Sequence, residues 1–392
     1  MLGGIKKLVL VLLSAVLSGS LAAAELNLFF YGAPVHLDYA SSLQQAPILE
    51  GTPAREQLES RMRLWDEDAL FNFAVSVKTK AQEMRLDDVA TARLMRACAV
   101  QLYGETPDAA LFEWLSLRHC GYDALLGMGG TLKVYLHYAF LTEGTQFVLF
   151  MGKKYTLPQG EPDPFSGKEQ VFVSMKEPAA PRSALFFNMH ELPLLGKSRR
   201  LRKCIFTYAE KEYKLFVPWM DDVVDYLNDL PVIALGPLFY QTPMNLRAQQ
   251  VLHDSLSTWT RGFTSKQTLD FLLAFLQQAF PYKRDKEYLR YDRHNFAEQT
   301  LAAPFADCED KAVLFAQLVR DLLGYPALLI YNKNLEHVSV AIAWSTPTVG
   351  HTVMYEQKRY LICEPANYGY RAGESKMPTD APGDIIPLQS EL

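Results

Sequence analysis

The most regular hydrophobic pattern in the chain lies between Phe305 and Gly324. Apolar residues recur there every three or four positions, which predicts an amphipathic helix that buries one stripe. Asp307 is suited to cap the start of this helix, and Gly324 is suited to end it. Cys308 then lies in the first turn, where free backbone N–H groups and the helix dipole favour a thiolate. The neighbouring carboxylates, such as Glu309, oppose that effect, so the dipole alone does not activate the thiol.

Strand patterns follow this helix. Residues 327–331 form a short apolar run that predicts a buried strand, and residues 337–344 alternate with a period of two. This alternation places His337 on the face opposite Val338. A third predicted strand, residues 360–364, ends in the sequence Cys-Glu-Pro.

The first half of the chain contains a weaker copy of the same pattern. Residues 26–40 predict one or two strands, and the region from Arg55 to Leu102 predicts helices. Residues 108–126 then resemble residues 310–329, with Gly121 aligned to Gly324, so the sequence predicts an internal duplication. Helix–glycine–strand units commonly look alike, which is the alternative explanation.

The duplication has a chemical consequence. With Gly121 placed on Gly324, Glu105 lies opposite Cys308 and Val134 lies opposite His337. The first copy would therefore carry neither a nucleophile nor a base.

Turn-rich segments predict boundaries between these regions. The fold class expected is α+β, with a helix packed on an antiparallel sheet in the C-terminal core. The predicted organisation is a signal peptide over 1–24, an N-terminal α+β domain over 25–160, a small β-rich unit over 165–235, a C-terminal core over 240–380 and a tail over 381–392.

The start of the chain indicates export. Lys6 and Lys7 precede an apolar run over residues 8–21, and three alanines before Glu25 offer a cleavage site near Ala24. The protein is therefore expected to be periplasmic or secreted. It would contact a membrane only if this segment remained uncleaved.

Charge and cysteine content narrow the function further. The formal net charge is −5, and removing residues 1–24 takes away two lysines and no acids, which gives −7. A mildly acidic chain argues against a nucleic-acid partner. The odd number of cysteines, five, leaves at least one thiol unpaired in an exported protein, and their spacing fits no zinc site. No metal or other cofactor is predicted.

Three residues in order carry the candidate chemistry. Cys308 begins a helix, His337 begins one strand and Glu364 ends the next, which is the order of a nucleophile, a base and a group that orients the base. If Glu364 faces the site, Cys363 turns to the opposite, packed face. Each residue alone would suggest only packing or a surface position. Together they favour an acyl-transfer site.

These motifs resemble a known family. The runs FLLAFLQQAFPY, FADCEDKAVLFAQLVRDLLG, EHVSVAI and YLICEPANYGYRAG, within about residues 265–373, are similar to the transglutaminase-like branch of the papain-type cysteine enzymes. The resemblance is to bacterial exported members. It implies a papain-like fold with Cys308, His337 and Glu364 as a triad.

One position departs from the family pattern, which usually has aspartate where this chain has Glu364. The longer side chain requires a shift of the backbone if it is to orient the imidazole. An oxyanion hole also needs a donor besides the Cys308 backbone N–H, and Gln277 and Gln299 are both candidates.

The resulting hypothesis is a cysteine protease or amidase that hydrolyses peptide or isopeptide bonds in a protein or peptide substrate, which could belong to the cell envelope. A true protein-glutamine transglutaminase is one alternative, because acceptor choice depends on access to the acyl-enzyme. A catalytically silent binding or scaffold protein is the other, so enzymatic activity is an expectation that needs a test.

Overall fold

The computed structural model describes residues 23–128, 131–143, 145–158, 171–172, 182–187, 190–287, 293–346, 349–378 and 383–388. Nearly all of the predicted signal peptide, and half of the predicted tail, lie outside these residues. No helix in the described ranges is both long enough and apolar enough to span a bilayer.

The described residues form a mixed α+β fold. The helices are α1 (Arg55–Met62), α2 (Glu67–Glu83), α3 (Asp88–Tyr103), α4 (Pro107–His119), α5 (Asp221–Asn228), α6 (Pro237–Gln241), α7 (Leu246–Trp259), α8 (Ser265–Ala279), α9 (Ala297–Ala302) and α10 (Cys308–Leu323). The strands are β1 (Ala23–Phe30), β2 (Ala33–Ala40), β3 (Ala124–Gly127), β4 (Lys133–Leu136), β5 (Phe147–Phe150), β6 (Lys153–Thr156), β7 (Val171–Phe172), β8 (Arg199–Tyr208), β9 (Lys211–Met220), β10 (Ala327–Asn332), β11 (His337–Ala343), β12 (Thr352–Tyr355), β13 (Lys358–Cys363) and β14 (Asp384–Pro387).

Two five-stranded antiparallel sheets have the same topology. The strand order is β5-β6-β4-β3-β7 in the N-terminal half and β12-β13-β11-β10-β14 in the C-terminal half. A helix precedes the first strand of each sheet, α4 in one half and α10 in the other. The glycines after these helices, Gly121 and Gly324, both have positive φ, 85° and 68°. The described strands thus repeat one arrangement, as the duplication predicts.

The sheet register corrects one detail of the sequence alignment. Ala124 pairs with Leu136 in the N-terminal sheet, and Ala327 pairs with Ile342 in the C-terminal sheet. Counting back five residues from each partner places Thr131, and not Val134, at the position of His337. The connection before β4 is shorter than a constant offset assumes, which a gapless alignment cannot detect.

The region predicted as a small β-rich unit is divided between the two halves. Residues 171–172 form β7 at the edge of the N-terminal sheet, and Leu185 is bridged to Tyr138 of the same half. The β8–β9 hairpin instead packs on α8, where the ring of Phe206 lies 5.1 Å from that of Phe271. Aromatic side chains on one face of the hairpin drive this contact, because exposing that face to water would be costly.

The two halves also pack against each other. The ring of Phe187, two residues after the Leu185 that is bridged to Tyr138, lies 5.3 Å from the ring of Phe296. Within the C-terminal half, the side-chain amide of Gln317 donates to the carbonyl oxygens of Phe239 and Thr242, each at 2.9 Å. Gln317 belongs to α10, so these contacts fix the helix that carries Cys308. Buried polar side chains of this kind position an element because they need their partners.

Candidate active site

Helix α10 begins and ends as its sequence predicts. The Asp307 carboxylate caps the helix by accepting a hydrogen bond from the Asp310 N–H at 3.3 Å, and Gly324 adopts the left-handed conformation that ends it. Cys308 is the first helical residue, and its side chain is 3% exposed. The predicted position of the thiol in the first turn is therefore confirmed.

His337 and Glu364 form a buried pair. The Nε2 atom of His337 lies 2.7 Å from Oε2 of Glu364, and both side chains are almost fully buried. Glu364 directly follows β13, and Cys363 packs into the core on the other face, as alternation predicts. Because Nε2 of His337 is paired with Glu364, Nδ1 is the imidazole nitrogen that remains to accept a proton from a thiol.

Four side chains hold Glu364 in place. Its Oε1 atom accepts hydrogen bonds from the hydroxyls of Ser339, at 2.8 Å, and Ser375, while Oε2 also accepts from the amide of Asn367 at 3.1 Å. With His337, every lone-pair direction of the carboxylate is used, so the burial of its charge is compensated. This set of donors fixes the Glu364 carboxylate against His337.

The sequence interpretation did not identify these supporting donors. Ser339 lies two residues after His337 and so shares its strand face, a signal that alternation could have revealed. Asn367 and Ser375 are in loops after β13. Only the tertiary fold brings them to Glu364.

The Cys308 thiol has a different partner from the one predicted. Among the described side chains, its hydrogen bond goes to Oε2 of Glu309 at 2.8 Å, and not to His337. Burial and the carboxylates of Glu309 and Asp307 raise the pKa of the Cys308 thiol above its ordinary value. The backbone N–H of Val338, next to His337, lowers this pKa in part. The thiol is therefore protonated at neutral pH in this arrangement.

Nearby acids are partly neutralised. Burial raises the pKa of both Asp307 and Asp310, and the carboxylates of Asp285 and Glu309 raise it further. Asp310 also accepts two hydrogen bonds from Asn295, at 2.7 and 2.9 Å, which tie it to the loop before α9. Less negative charge thus surrounds Cys308 than the sequence suggests.

Cys308 lines a polar cleft of about 90 Å³. Tyr282, Arg284, Glu309, Tyr331 and Glu336 contribute side chains to the same cleft. Burial raises the pKa of Tyr282 to about 12, with the charge of Cys308 as a further cause, so its hydroxyl keeps its proton and is able to donate. The cleft gives a small polar group access to the thiol.

The two predicted oxyanion donors have other partners. The amide nitrogen of Gln277 donates to the carbonyl oxygens of Glu364 and Tyr370, both at 3.0 Å. The amide nitrogen of Gln299 donates to Asn228 at 2.9 Å, while its oxygen accepts from the Phe296 N–H. Gln277 thus holds the loop that carries Glu364, and Gln299 caps α9. Both N–H groups of the Gln277 amide thus have partners, and one N–H group of the Gln299 amide does.

No family model, curated protein or solved structure matches this chain. The chemistry of the site must therefore be inferred from its own residues. Within the described ranges, no group of His, Cys, Asp and Glu side chains could hold a metal ion. All five cysteines are free thiols, and Cys308 is the one that lines the cleft described above.

Proposed function

We propose that the protein is a cysteine hydrolase of the transglutaminase-like type, which cleaves peptide or isopeptide bonds through an acyl-enzyme on Cys308. The observation that carries the proposal is the buried contact of 2.7 Å between His337 and Glu364, at the start of β11, where the backbone N–H of the next residue, Val338, interacts with the Cys308 thiol. A histidine held in one tautomer by a carboxylate is the group that a cysteine nucleophile requires. The papain-like core, export and a protein or peptide substrate belong to the same proposal.

The proposed reaction begins when His337 Nδ1 accepts the thiol proton. The Cys308 sulfur then attacks the acyl carbon, and the carbonyl oxygen becomes an oxyanion. His337 returns the proton to the leaving amine, the C–N bond breaks and a thioester remains. Water attacks the thioester with His337 as base, which releases the acid and the free thiol.

Two donors are suited to the oxyanion. The backbone N–H of Cys308 is in the first turn of α10, where N–H groups have no partner within the helix. The Tyr282 hydroxyl lines the same cleft and stays protonated. We assign it the role of second oxyanion donor.

An activated ester tests the proposal without knowledge of the natural substrate. The protein would be incubated with p-nitrophenyl acetate, and acetylated thiols mapped by mass spectrometry. We expect a burst of p-nitrophenolate and acetylation at Cys308, both absent in Cys308→Ala and strongly reduced in His337→Ala. Cys363→Ala is the matched control, since that thiol is fully buried and does not line the cleft. An unacetylated Cys308 in the parent protein would refute the proposed chemistry.

One observation favours a second candidate, a catalytically silent binding protein. The hydrogen bond from Cys308 to Glu309 and the raised thiol pKa describe a nucleophile that is not activated. Catalysis requires Glu309 to turn away so that the thiol can reach His337. If Cys308→Ala restored every phenotype of a deletion strain, the silent alternative would replace the enzymatic one.

A further inference from the structure

The N-terminal half contains a cavity of about 170 Å³ between α3, α4 and β4. Its walls combine apolar and charged groups. Val134 and Leu136 of β4 supply apolar surface, while Arg93, Arg96, Glu113 and Lys133 supply charge. We refer to it as the α3–β4 cavity.

The corresponding positions in the C-terminal half are apolar and fully buried. By the sheet register, Val134 corresponds to Val340 and Leu136 to Ile342, which are fully buried in the core. Glu113 lies eight residues before Gly121, as Ala316 lies eight residues before Gly324, and Ala316 is also fully buried. The N-terminal half thus has a charged residue and a cavity where the C-terminal half packs apolar groups.

Arg93 is the unusual member of the cavity wall. Its side chain is 5% exposed, and one guanidinium nitrogen, Nη2, donates to the Pro158 carbonyl at 2.9 Å. Within the described residues, Nε has no hydrogen-bond partner, and the carboxylate of Asp229 lies 4.0 Å from Nη1. Arg93 also interacts with the side chain of Tyr31. A buried cation whose ion-pair partner is 4.0 Å away is only partly compensated, so an anion in the cavity would be stabilising.

The other charged side chains of the cavity wall have partners nearby. Arg96 contacts Glu113 at 3.2 Å and also Glu105, and Lys133 donates to Gln146 at 3.2 Å. Burial raises the pKa of Glu113 to about 7, although Arg96 opposes the shift. Close to neutral pH, part of the Glu113 population is therefore uncharged beside three cations.

We propose that the α3–β4 cavity binds a carboxylate carried on a short apolar group, with Arg93 and Arg96 holding the carboxylate and Val134 and Leu136 contacting the apolar part. The guanidinium group matches a carboxylate in shape and charge. Two sources present this chemistry, the C-terminal end of a peptide and a free short-chain fatty acid. The site would give the first half of the chain a binding role that does not depend on Cys308.

Titration calorimetry on the full chain tests the proposal with four probes. Hexanoate and N-acetylleucine carry the carboxylate, and hexanamide and N-acetylleucine amide are the matched neutral ligands. We expect saturable binding of at least one carboxylate, with its amide weaker by about tenfold or more, because hydrogen bonds to charged groups are the stronger ones. Binding of N-acetylleucine alone would indicate a peptide end, and binding of hexanoate alone a fatty acid.

Two variants test whether the carboxylate binds in the α3–β4 cavity. Arg93→Gln removes the buried cation, and Val134→Phe fills the cavity without changing its charge. We expect both to lower the affinity for the bound carboxylate by about tenfold or more, while Cys308→Ala and the exposed-site control Lys203→Gln leave it unchanged. If Arg93→Gln proves unfolded by circular dichroism, Val134→Phe decides. The proposal fails if no carboxylate binds, if the amides bind equally well, or if the folded variants bind like the parent.

Discussion

The two halves of this protein contain sheets of the same topology, but only one half carries the candidate catalytic residues. In the C-terminal half, the start of β11 and the residue after β13 bring His337 and Glu364 together, and Cys308 begins α10. In the N-terminal half, the corresponding residues are Glu105, at the position of Cys308, and Thr131, at that of His337. The counterpart of Glu364 falls at residue 159, outside the described residues. The same arrangement of strands thus carries a candidate triad in one half and none in the other.

The comparison separates what a fold supplies from what a site supplies. The repeated helix, glycine and strands establish where side chains can meet, and a few residue identities decide whether they react. Each half also buries a glutamate, but in contrasting ways. Glu364 accepts four hydrogen bonds, whereas Glu113 has one arginine partner within the described residues.

The largest effect is expected from Glu364→Gln. The substitution keeps the shape of the side chain but removes the charge that orients His337, so we expect acetylation of Cys308 to slow by about 10²- to 10⁴-fold. The rate of p-nitrophenolate release measures it. Glu113→Gln, the matched change in the other half, should leave the rate within error. If both substitutions slowed the release of p-nitrophenolate equally, the proposed difference between the halves would be wrong.

The next largest effect is expected in the pH dependence of the free energy of unfolding. The pKa of Glu113 is raised in the folded state from an ordinary value of 4.5 to about 7. As the pH rises, the unfolded state therefore loses this proton at a lower pH than the folded state does. The stabilising effect of protonation is complete below pH 4.5 and is lost as the pH rises to about 7. We expect Glu113 to lower the free energy of unfolding by up to about 3 kcal/mol over that window.

Denaturant titrations at several pH values measure this dependence. Glu113→Gln should remove most of the slope between pH 4.5 and 7. Glu105→Gln, which changes an exposed carboxylate on the same arginine, should retain it. A slope that persists in Glu113→Gln would assign the pH dependence to other groups.

A smaller effect is expected at Glu309. Glu309→Gln removes the negative charge that accepts a hydrogen bond from the thiol, so the pKa of Cys308 should fall. Alkylation of Cys308 by iodoacetamide near pH 7 should then accelerate by about tenfold. Labelling rates at Cys308, followed by mass spectrometry, provide the measurement. Glu336→Gln is the control, because Glu336 lines the cleft without bonding the thiol. If the two variants react alike, Glu309 does not restrain the thiol.

The smallest effect tests the shared helix ending. Gly324 has φ of 68° and open space around its Cα, so Gly324→Ala introduces backbone strain without a clash. We expect a loss of about 1 kcal/mol in the free energy of unfolding. Gly121→Ala, at the counterpart with φ of 85°, should cost a comparable amount. Thermal unfolding of both variants checks this, and a large disparity would mean that the two glycines have different roles.

The local features of the site were predictable from the sequence. Hydrophobic periodicity gave the bounds of α10 within a few residues, and the residue types at its ends, Asp307 and Gly324, predicted its cap and its stop. Alternation placed His337 and Cys363 on opposite faces of their sheet. These features depend on residues close together in the chain, where backbone geometry alone sets the side-chain direction.

Contacts between distant segments were not predictable in this way. The partners of Gln277 and Gln299, the loop donors Asn367 and Ser375, and the register that moves the counterpart of His337 to Thr131 all depend on turn lengths and packing.

The sequence by itself thus determined the α+β class, the helix that carries Cys308 and the order of three candidate residues. The tertiary structure decided that Glu364 binds His337, that the thiol bonds to Glu309, and that the two halves repeat one sheet. The physical reason is the separation along the chain over which each interaction acts. Helix and strand signals act over a few residues, whereas a hydrogen bond between residues 27 positions apart exists only after the core has fixed both strands.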